Sequence, residues 1–270
     1  MEILGYLGAL IIGITLGLLG GGGSILTVPI LVYFFKVDAV MATAYSLFIV
    51  GCSSLIGSIN YWRKGLVRLK TAIYFGVPSV VMVFVTRKWI VPAFPDGQWV
   101  SIGSWGLTKD IFILTLFALM MILSSYFMIK GKKKPLKENV TGVRNPLFGV
   151  IVEGVVVGFL TGLVGAGGGF IIVPALILLF GLNMKEAVGT SLFIITVKSL
   201  VGFIGDATND YTIDYSLLLG ISALAVLGIL LGATVSNKVP GPKLKKVFGW
   251  MVLIMGLSML GGELLAPLFY

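Results

Sequence analysis

Two glycine runs and one lysine are the residues of this chain best suited to holding a solute. The first run lies in GLLGGGGSILTVP (residues 17–29) and the second in GLVGAGGGFIIVP (residues 162–174). Each interrupts a long apolar stretch, although glycine inside a helix costs about 1 kcal/mol relative to alanine. An interruption there exposes the amino end of the next helical segment, whose free N–H groups and partial positive charge favour an anion. Glycine also admits a ligand close to the backbone. Gly20, Gly21, Gly22, Gly23 and Ser24 are therefore candidates for one half of an anion cradle, and Gly165, Gly167, Gly168 and Gly169 for the other. Lys198 lies deep inside the apolar stretch FIITVKSLVGF. An ionisable group at such a place is costly and points to a cavity, so Lys198 is the candidate charge partner of the anion. Thr190 and Ser191 on its segment, and Ser46 on an earlier one, are candidate hydrogen-bond donors.

Each assignment has a plainer competitor. Small residues four apart let membrane helices approach closely, and Gly13, Gly17 and Gly21 have that spacing, though packing explains four consecutive glycines poorly. Serines and threonines in membrane spans commonly satisfy nearby helix backbone. No GK[ST] follows either run and no strand–turn–helix context surrounds it, so the resemblance to a nucleotide phosphate loop is superficial. Glu153 lies two turns into its apolar stretch, about 10 Å deep at the rise of a helix. It is a candidate carrier of a coupling proton, or else a partner for a lysine at the rim. Asp206 ends its stretch and reads as a boundary residue. The chain has no histidine and a single cysteine, Cys52. Metal binding, an internal disulfide and general acid–base catalysis therefore have little to work with, and no cofactor is expected.

The elements that must position these residues are membrane spans. Of 270 residues, 57% are hydrophobic and 11% charged, against about 25% charged in soluble chains. Apolar runs cover Ile3–Phe35, Ala39–Asn60, Leu69–Val85, Ile111–Ile129, Leu147–Phe180, Ala187–Ile204, Tyr215–Val235 and Val247–Leu260. The fold class is all-α: a polytopic membrane protein of about eight to ten transmembrane helices or half-helices. The first run has no basic start and is expected to remain rather than act as a cleaved signal. The net charge of +9 reflects basic cytoplasmic loops rather than nucleic acid binding.

The chain repeats itself. Sliding it by 145 positions aligns Gly17, Leu18, Gly20, Gly22 and Gly23 with Gly162, Leu163, Gly165, Gly167 and Gly168. It also aligns Pro29 with Pro174 and Ser46–Ile49 with Ser191–Ile194. Residues 1–130 form a first membrane repeat, 131–145 a basic cytoplasmic linker and 146–270 a second repeat. The loop after the second element is basic in the first half, with Arg63, Lys64, Arg68 and Lys70. It is acidic in the second, with Asp206, Asp210 and Asp214. The positive-inside rule then places the two loops on opposite sides, so the repeats are expected to be inverted. Arg87 and Lys88 fall on the external side and fit this scheme least. Asn145 and Pro146 read as the start of the second repeat, and residues 93–108 as an external loop with interfacial Trp99 and Trp105.

The twin glycine–proline segments, together with AVGTSLFIITVKSLVGFIGD (residues 187–206), resemble the sulfite exporter TauE/SafE family, also called the toluene sulfonate uptake permease family. The resemblance covers nearly the whole chain. It implies a multi-pass plasma-membrane permease for small sulfur-containing anions such as sulfite, organosulfonates or thiosulfate. The expected mechanism is secondary transport by alternating access, with H+ or Na+ as candidate coupling ions. An anion channel and a membrane-embedded enzyme are the alternatives. The expected partners are the anion and the lipid bilayer, with no nucleic acid; the substrate, direction and oligomeric state stay open.

Overall fold

The first apolar run folds back on itself. In a computed structural model describing residues 2–21, 23–95, 98–102, 105–130, 146–165, 167–209, 213–236 and 241–269, α1 (Glu2–Leu19) stops at the glycines. The next helix, α2 (Gly23–Phe35), returns beside it: Gly5 lies against Phe35, Gly8 against Ile30 and Gly23 against Leu16. The reversal needs Gly20 at φ 70°, a left-handed conformation costing other residues about 1–2 kcal/mol. From the rise per residue, α1 is about 27 Å long and α2 about 20 Å. The second helix thus falls short of a hydrocarbon core about 30 Å thick. The expected broken span is a helical hairpin.

The second half builds the same hairpin from α7 (Pro146–Val164) and α8 (Gly169–Leu179). Its turn uses Gly165, Gly167 and Gly168 at φ 68°, 61° and 70°. Long helices follow each hairpin, α3 (Ala39–Arg63) and α9 (Met184–Ala207), which start with matching caps. Asp38 Oδ1 accepts from the Met41 N–H at 3.1 Å, and Asn183 Oδ1 from the Glu186 N–H at 3.0 Å. Glu186 closes a capping box by accepting from the Asn183 N–H, which satisfies two otherwise orphaned helix donors.

Next come α4 (Leu69–Val85) and its counterpart α10 (Tyr215–Ser236). A π-helical turn, Thr86–Ile90, carries α4 into the short α5 (Val91–Ala93). The polar segment expected to be an irregular loop is a two-stranded antiparallel ribbon, β1 (Gln98–Ile102) with β2 (Trp105–Thr108). The side chains of Trp99 and Trp105, the linker 131–145 and Asn145 lie outside the described residues, whereas Pro146 opens α7 as predicted. Helices α6 (Lys109–Lys130) and α11 (Gly241–Phe269) complete the halves. Among the described residues, five helical segments are long and apolar enough to cross a membrane: Ala39–Arg63, Leu69–Ala93, Lys109–Tyr126, Met184–Ala207 and Tyr215–Val235.

The two halves interlock. α1 packs on α10 of the other half, α7 on α4, α3 on α9 and α6 on α11. Small residues permit this. Gly13 and Gly17 on α1 meet Gly228 and the Ile229–Ala233 turn of α10, and Gly154, Gly158 and Gly162 on α7 meet Phe75, Ser79 and Thr86. The competing explanation for spaced glycines therefore holds for Gly13 and Gly17. Helices α3 and α9, equivalent in the repeat, run antiparallel: Gly51 faces Leu200, Gly57 faces Leu192 and Gly202 faces Leu47.

Two glycines test this packing. A Cβ on Gly158 would lie 2.5 Å from the Ser79 carbonyl oxygen, whereas one on Gly76 meets only Ile194, at 3.6 Å. Gly158→Leu is expected to cost about 1–3 kcal/mol or more, and Gly76→Ala to be neutral or stabilising. Thermal unfolding of the two variants in detergent checks the contrast.

Candidate anion site at the second glycine turn

The glycine turns of the two hairpins touch. Gly21 and Gly169 are so close that a Cβ on either would collide with the backbone of the other. Gly20 packs on Val188 of α9, and Gly165 packs on Thr43 of α3, the repeat equivalent of Val188. Each turn thus sits on the long helix of the opposite half. Gly20, Gly21, Gly165 and Gly169 are consumed by this packing, and Gly23 by the α1–α2 contact. Gly22 lies outside the described residues. Gly167 and Gly168 are packed as well, against Val50 and Thr161, and they also border polar groups: a Cβ on Gly167 would come 3.1 Å from Ser199 Oγ, and one on Gly168 would come 2.8 Å from Lys198 Nζ.

Lys198 lies at the centre of the α3–α9 crossing, facing the level of Ser53, its repeat equivalent. It is fully buried. Its Nζ donates to Thr161 Oγ1 at 3.0 Å, and Thr161 Oγ1 donates to the Val157 carbonyl at 2.7 Å. Arg68 pairs with Glu186 and Arg87 with Asp206, whereas Lys198 has no carboxylate partner among the described residues. A lysine ammonium carries three donors, so most of its hydrogen-bonding capacity is uncommitted. The adjacent Ser199 hydroxyl is buried without a hydrogen-bond partner, as are those of Ser46, Ser54 and Ser79. Helix α8 begins at Gly169 with no side-chain cap; the Ile171 and Ile172 N–H groups donate to the Gly168 carbonyl at 3.0 and 2.9 Å, so the donors α8 leaves at this turn are the Gly169 and Phe170 N–H groups.

The other candidates separate from this cluster. Ser191 Oγ donates to the Gly20 carbonyl at 2.7 Å and Ser24 Oγ to the Gly21 carbonyl at 2.7 Å. Thr190 Oγ1 accepts from the Arg68 N–H at 3.0 Å. These three stitch backbone together, and Ser46 stands in α3 with its hydroxyl unpartnered. Glu153 is half-buried on α7 beside exposed Val152, Val155 and Val156. Among the described residues it forms no ion pair.

Thr161 escaped sequence reasoning because its role depends on α7 passing Lys198. The Arg87–Asp206 pair escaped too. Arg87 Nε lies 3.2 Å from Asp206 Oδ2, and both side chains are buried. Asp206 is thus more than a boundary residue. Arg87, which fitted the loop-charge scheme least, has its charge matched inside the protein.

A helical bundle with five segments, among the described residues, long and apolar enough to cross a bilayer is that of a multi-pass membrane protein. The chain belongs to the sulfite exporter TauE/SafE family, whose profile matches residues 5–259. Its relatives bear matching names. A "Probable membrane transporter protein" of Xylella fastidiosa (strain 9a5c) is 28% identical over 251 residues, covering 92% of this chain and 90% of that protein. "Probable membrane transporter protein YjnA" of Bacillus subtilis (strain 168) is 25% identical over 265 residues, covering 96% and 100%. "Probable membrane transporter protein MJ0441" of Methanocaldococcus jannaschii is 27% identical over 264 residues, covering 93% and 92%. No solved structure matches the chain.

A central lysine burdens stability, by about 2.5–3.5 kcal/mol on the insertion scale for helix centres. Lys198→Met, similar in length and apolar, is expected to raise the unfolding temperature of the unliganded protein. Thr161→Val, which leaves Lys198 without its hydrogen bond, is expected to lower it by about 1–3 kcal/mol. Differential scanning fluorimetry in detergent reads both.

Proposed function

We propose that the protein moves a small sulfur oxyanion, such as sulfite, thiosulfate or an organosulfonate, across the plasma membrane by alternating access. The observation that carries this is Lys198: a buried lysine with one hydroxyl partner and no carboxylate among the described residues. An anion beside it would exchange an uncompensated charge for a paired one. Ser199, the Lys198–Thr161 pair and the Gly169 and Phe170 N–H groups opening α8 supply donors of the kind an oxyanion's acceptors need. Gly167 and Gly168 give the approach. Ser46 lies away from the Lys198 cluster, and Ser24, Thr190, Ser191 and the packed glycines hold the two hairpins in register.

The two repeats are inverted in this scheme. The antiparallel crossing of α3 with α9 supports it, since equivalent helices then traverse the bilayer in opposite directions. Exposed Arg63, Lys64, Arg68 and Lys70 mark the cytoplasmic end. Inverted halves provide two pseudo-equivalent openings around one central site, the geometry that alternating access exploits. A channel is the competing mechanism, and the family and its relatives' names speak for transport over catalysis.

A thermal-shift screen of the purified protein against sulfite, sulfate, thiosulfate and short sulfonates tests the site. A ligand at a hundredfold its dissociation constant stabilises the folded state by about 2.7 kcal/mol. Lys198→Met is expected to abolish the shift; a shift that survives unchanged removes Lys198 from the site. In liposomes preloaded with unlabelled anion, a carrier accelerates uptake of labelled anion. A rate indifferent to internal anion means a channel.

A further inference from the structure

Arg87 and Asp206 lie about 12 Å along α9 from Lys198, eight residues at the helical rise. They join the α4–π-turn segment to α9, with the π-helical turn holding Arg87; such turns recur at functional sites. Around the pair the two elements are fastened twice more. Lys88 Nζ donates to the Thr208 carbonyl and hydroxyl at 3.0 and 2.9 Å and to Asn209 Oδ1 at 3.3 Å. The pair has no counterpart in the repeat. The equivalent of Asp206 is Tyr61, whose hydroxyl donates to the Gly17 carbonyl at 3.3 Å, and the equivalent of Arg87 is Gly232, packed on Ile14. One end of the bundle is therefore closed by a buried ion pair, and the other by a neutral contact at the same place.

A buried ion pair is a poor way to hold helices together, because desolvation offsets most of the attraction. Removing the charge of one partner, by contrast, changes the local field greatly. The path from the pair to the candidate site is short in structure: Thr86, next to Arg87, packs on Gly162, next to Thr161, which holds Lys198.

We propose that Asp206 is the proton-binding site that couples the anion to the proton gradient. With Asp206 ionised, Asp206, Arg87 and Lys198 together carry one net positive charge; with a proton on Asp206 they carry two. The proton comes from water and forms a carboxylic O–H, and no other bond changes. The extra positive charge draws the anion, so proton and anion bind cooperatively and travel together. Linkage makes the effect reciprocal. Other ionisable groups lie at this end. Lys88 on the π-turn is engaged by Thr208 and Asn209, α3 brings Asp38 and Tyr45, Asp214 and Tyr215 begin α10, and Lys109 and Asp110 open α6 one turn before Ile113, which packs with Val40, Val91 and Leu163. Helix α8 and residues 157–164 of α7 carry none, and those of α11 are Lys243, Lys245, Lys246 and Glu263 near its ends. Asp206 is a carboxylate in direct contact with the buried Arg87.

This proposal rests on the transport reading, and proteoliposomes separate the two. The probes are radiolabelled thiosulfate and methanesulfonate, whose charges do not change between mildly acidic and mildly alkaline pH; an internal fluorescent dye reports protons. Wild type is expected to acidify the lumen as anion enters, and its apparent anion affinity to rise by up to about tenfold per unit fall in pH, the slope for one linked proton. Asp206→Asn is expected to exchange anion with no proton movement and no such pH dependence. Should that variant misfold with Arg87 unmatched, the double variant Arg87→Gln/Asp206→Asn removes both charges and is expected to behave the same way. Anion-driven acidification that persists in either folded variant, or that vanishes in Glu153→Gln instead, overturns the assignment. Wild type that exchanges these anions without protons ends this proposal alone. Wild type that exchanges neither ends the transport reading for both probes.

Discussion

The contact between two turns of bare backbone, Gly21 against Gly169, conditions the rest of the architecture. No side chain fits there, so the two helical hairpins meet tip to tip and each rests on the long helix of the other half. That exchange locks α1 against α10 and α7 against α4, and it sets α3 across α9 with Lys198 at the crossing. In hydrocarbon, helices gain little from apolar burial alone, and close backbone approach supplies van der Waals packing instead. Glycine is the currency of this fold because distance between backbones is what the fold must minimise.

The same interruption that makes packing possible leaves helix ends inside the protein. Backbone groups freed in a membrane interior persist only where protein or a polar cavity satisfies them. Here the two turns divide the labour. The first is stitched by Ser191 to α9 and by Ser24 to itself, so its polar groups are largely spent. The second keeps Gly167 and Gly168 beside a lysine and an unpartnered serine. Internal repetition therefore leaves the two turns chemically unlike, because Lys198 replaces what in the first repeat is Ser53.

Charge is treated in two ways inside this bundle. Arg87 is matched by Asp206, and Lys198 is matched by nothing acidic among the described residues. A chain selected only for stability would gain by removing both arrangements, since buried ions cost more than apolar groups of similar volume. Asp206 and Lys198 share α9, about two turns apart.

The membrane class, the twofold repeat, the glycine interruptions and the buried lysine were all legible in the sequence. Each is a property of composition or spacing along one line: apolar length, recurrence at 145 positions, consecutive residues that break helices, a charge far from any span end. Pro146 at the start of α7 and the polar segment before α6 could be read likewise, although the ribbon there could not, since strand pairing depends on which residues meet. What only the tertiary structure decided is which candidates share a site. The list of glycines, serines and threonines around the breaks split into those spent on packing or on backbone hydrogen bonds and those bordering Lys198, according to which helix each one faces. Thr161 and the Arg87–Asp206 pair carried no pattern at all, lying 37 residues apart from Lys198 and on unrelated segments respectively. Sequence periodicity records how a residue sits on its own helix; partnership across helices is set by the crossing geometry, and that geometry follows from how closely the glycine turns allow two backbones to approach.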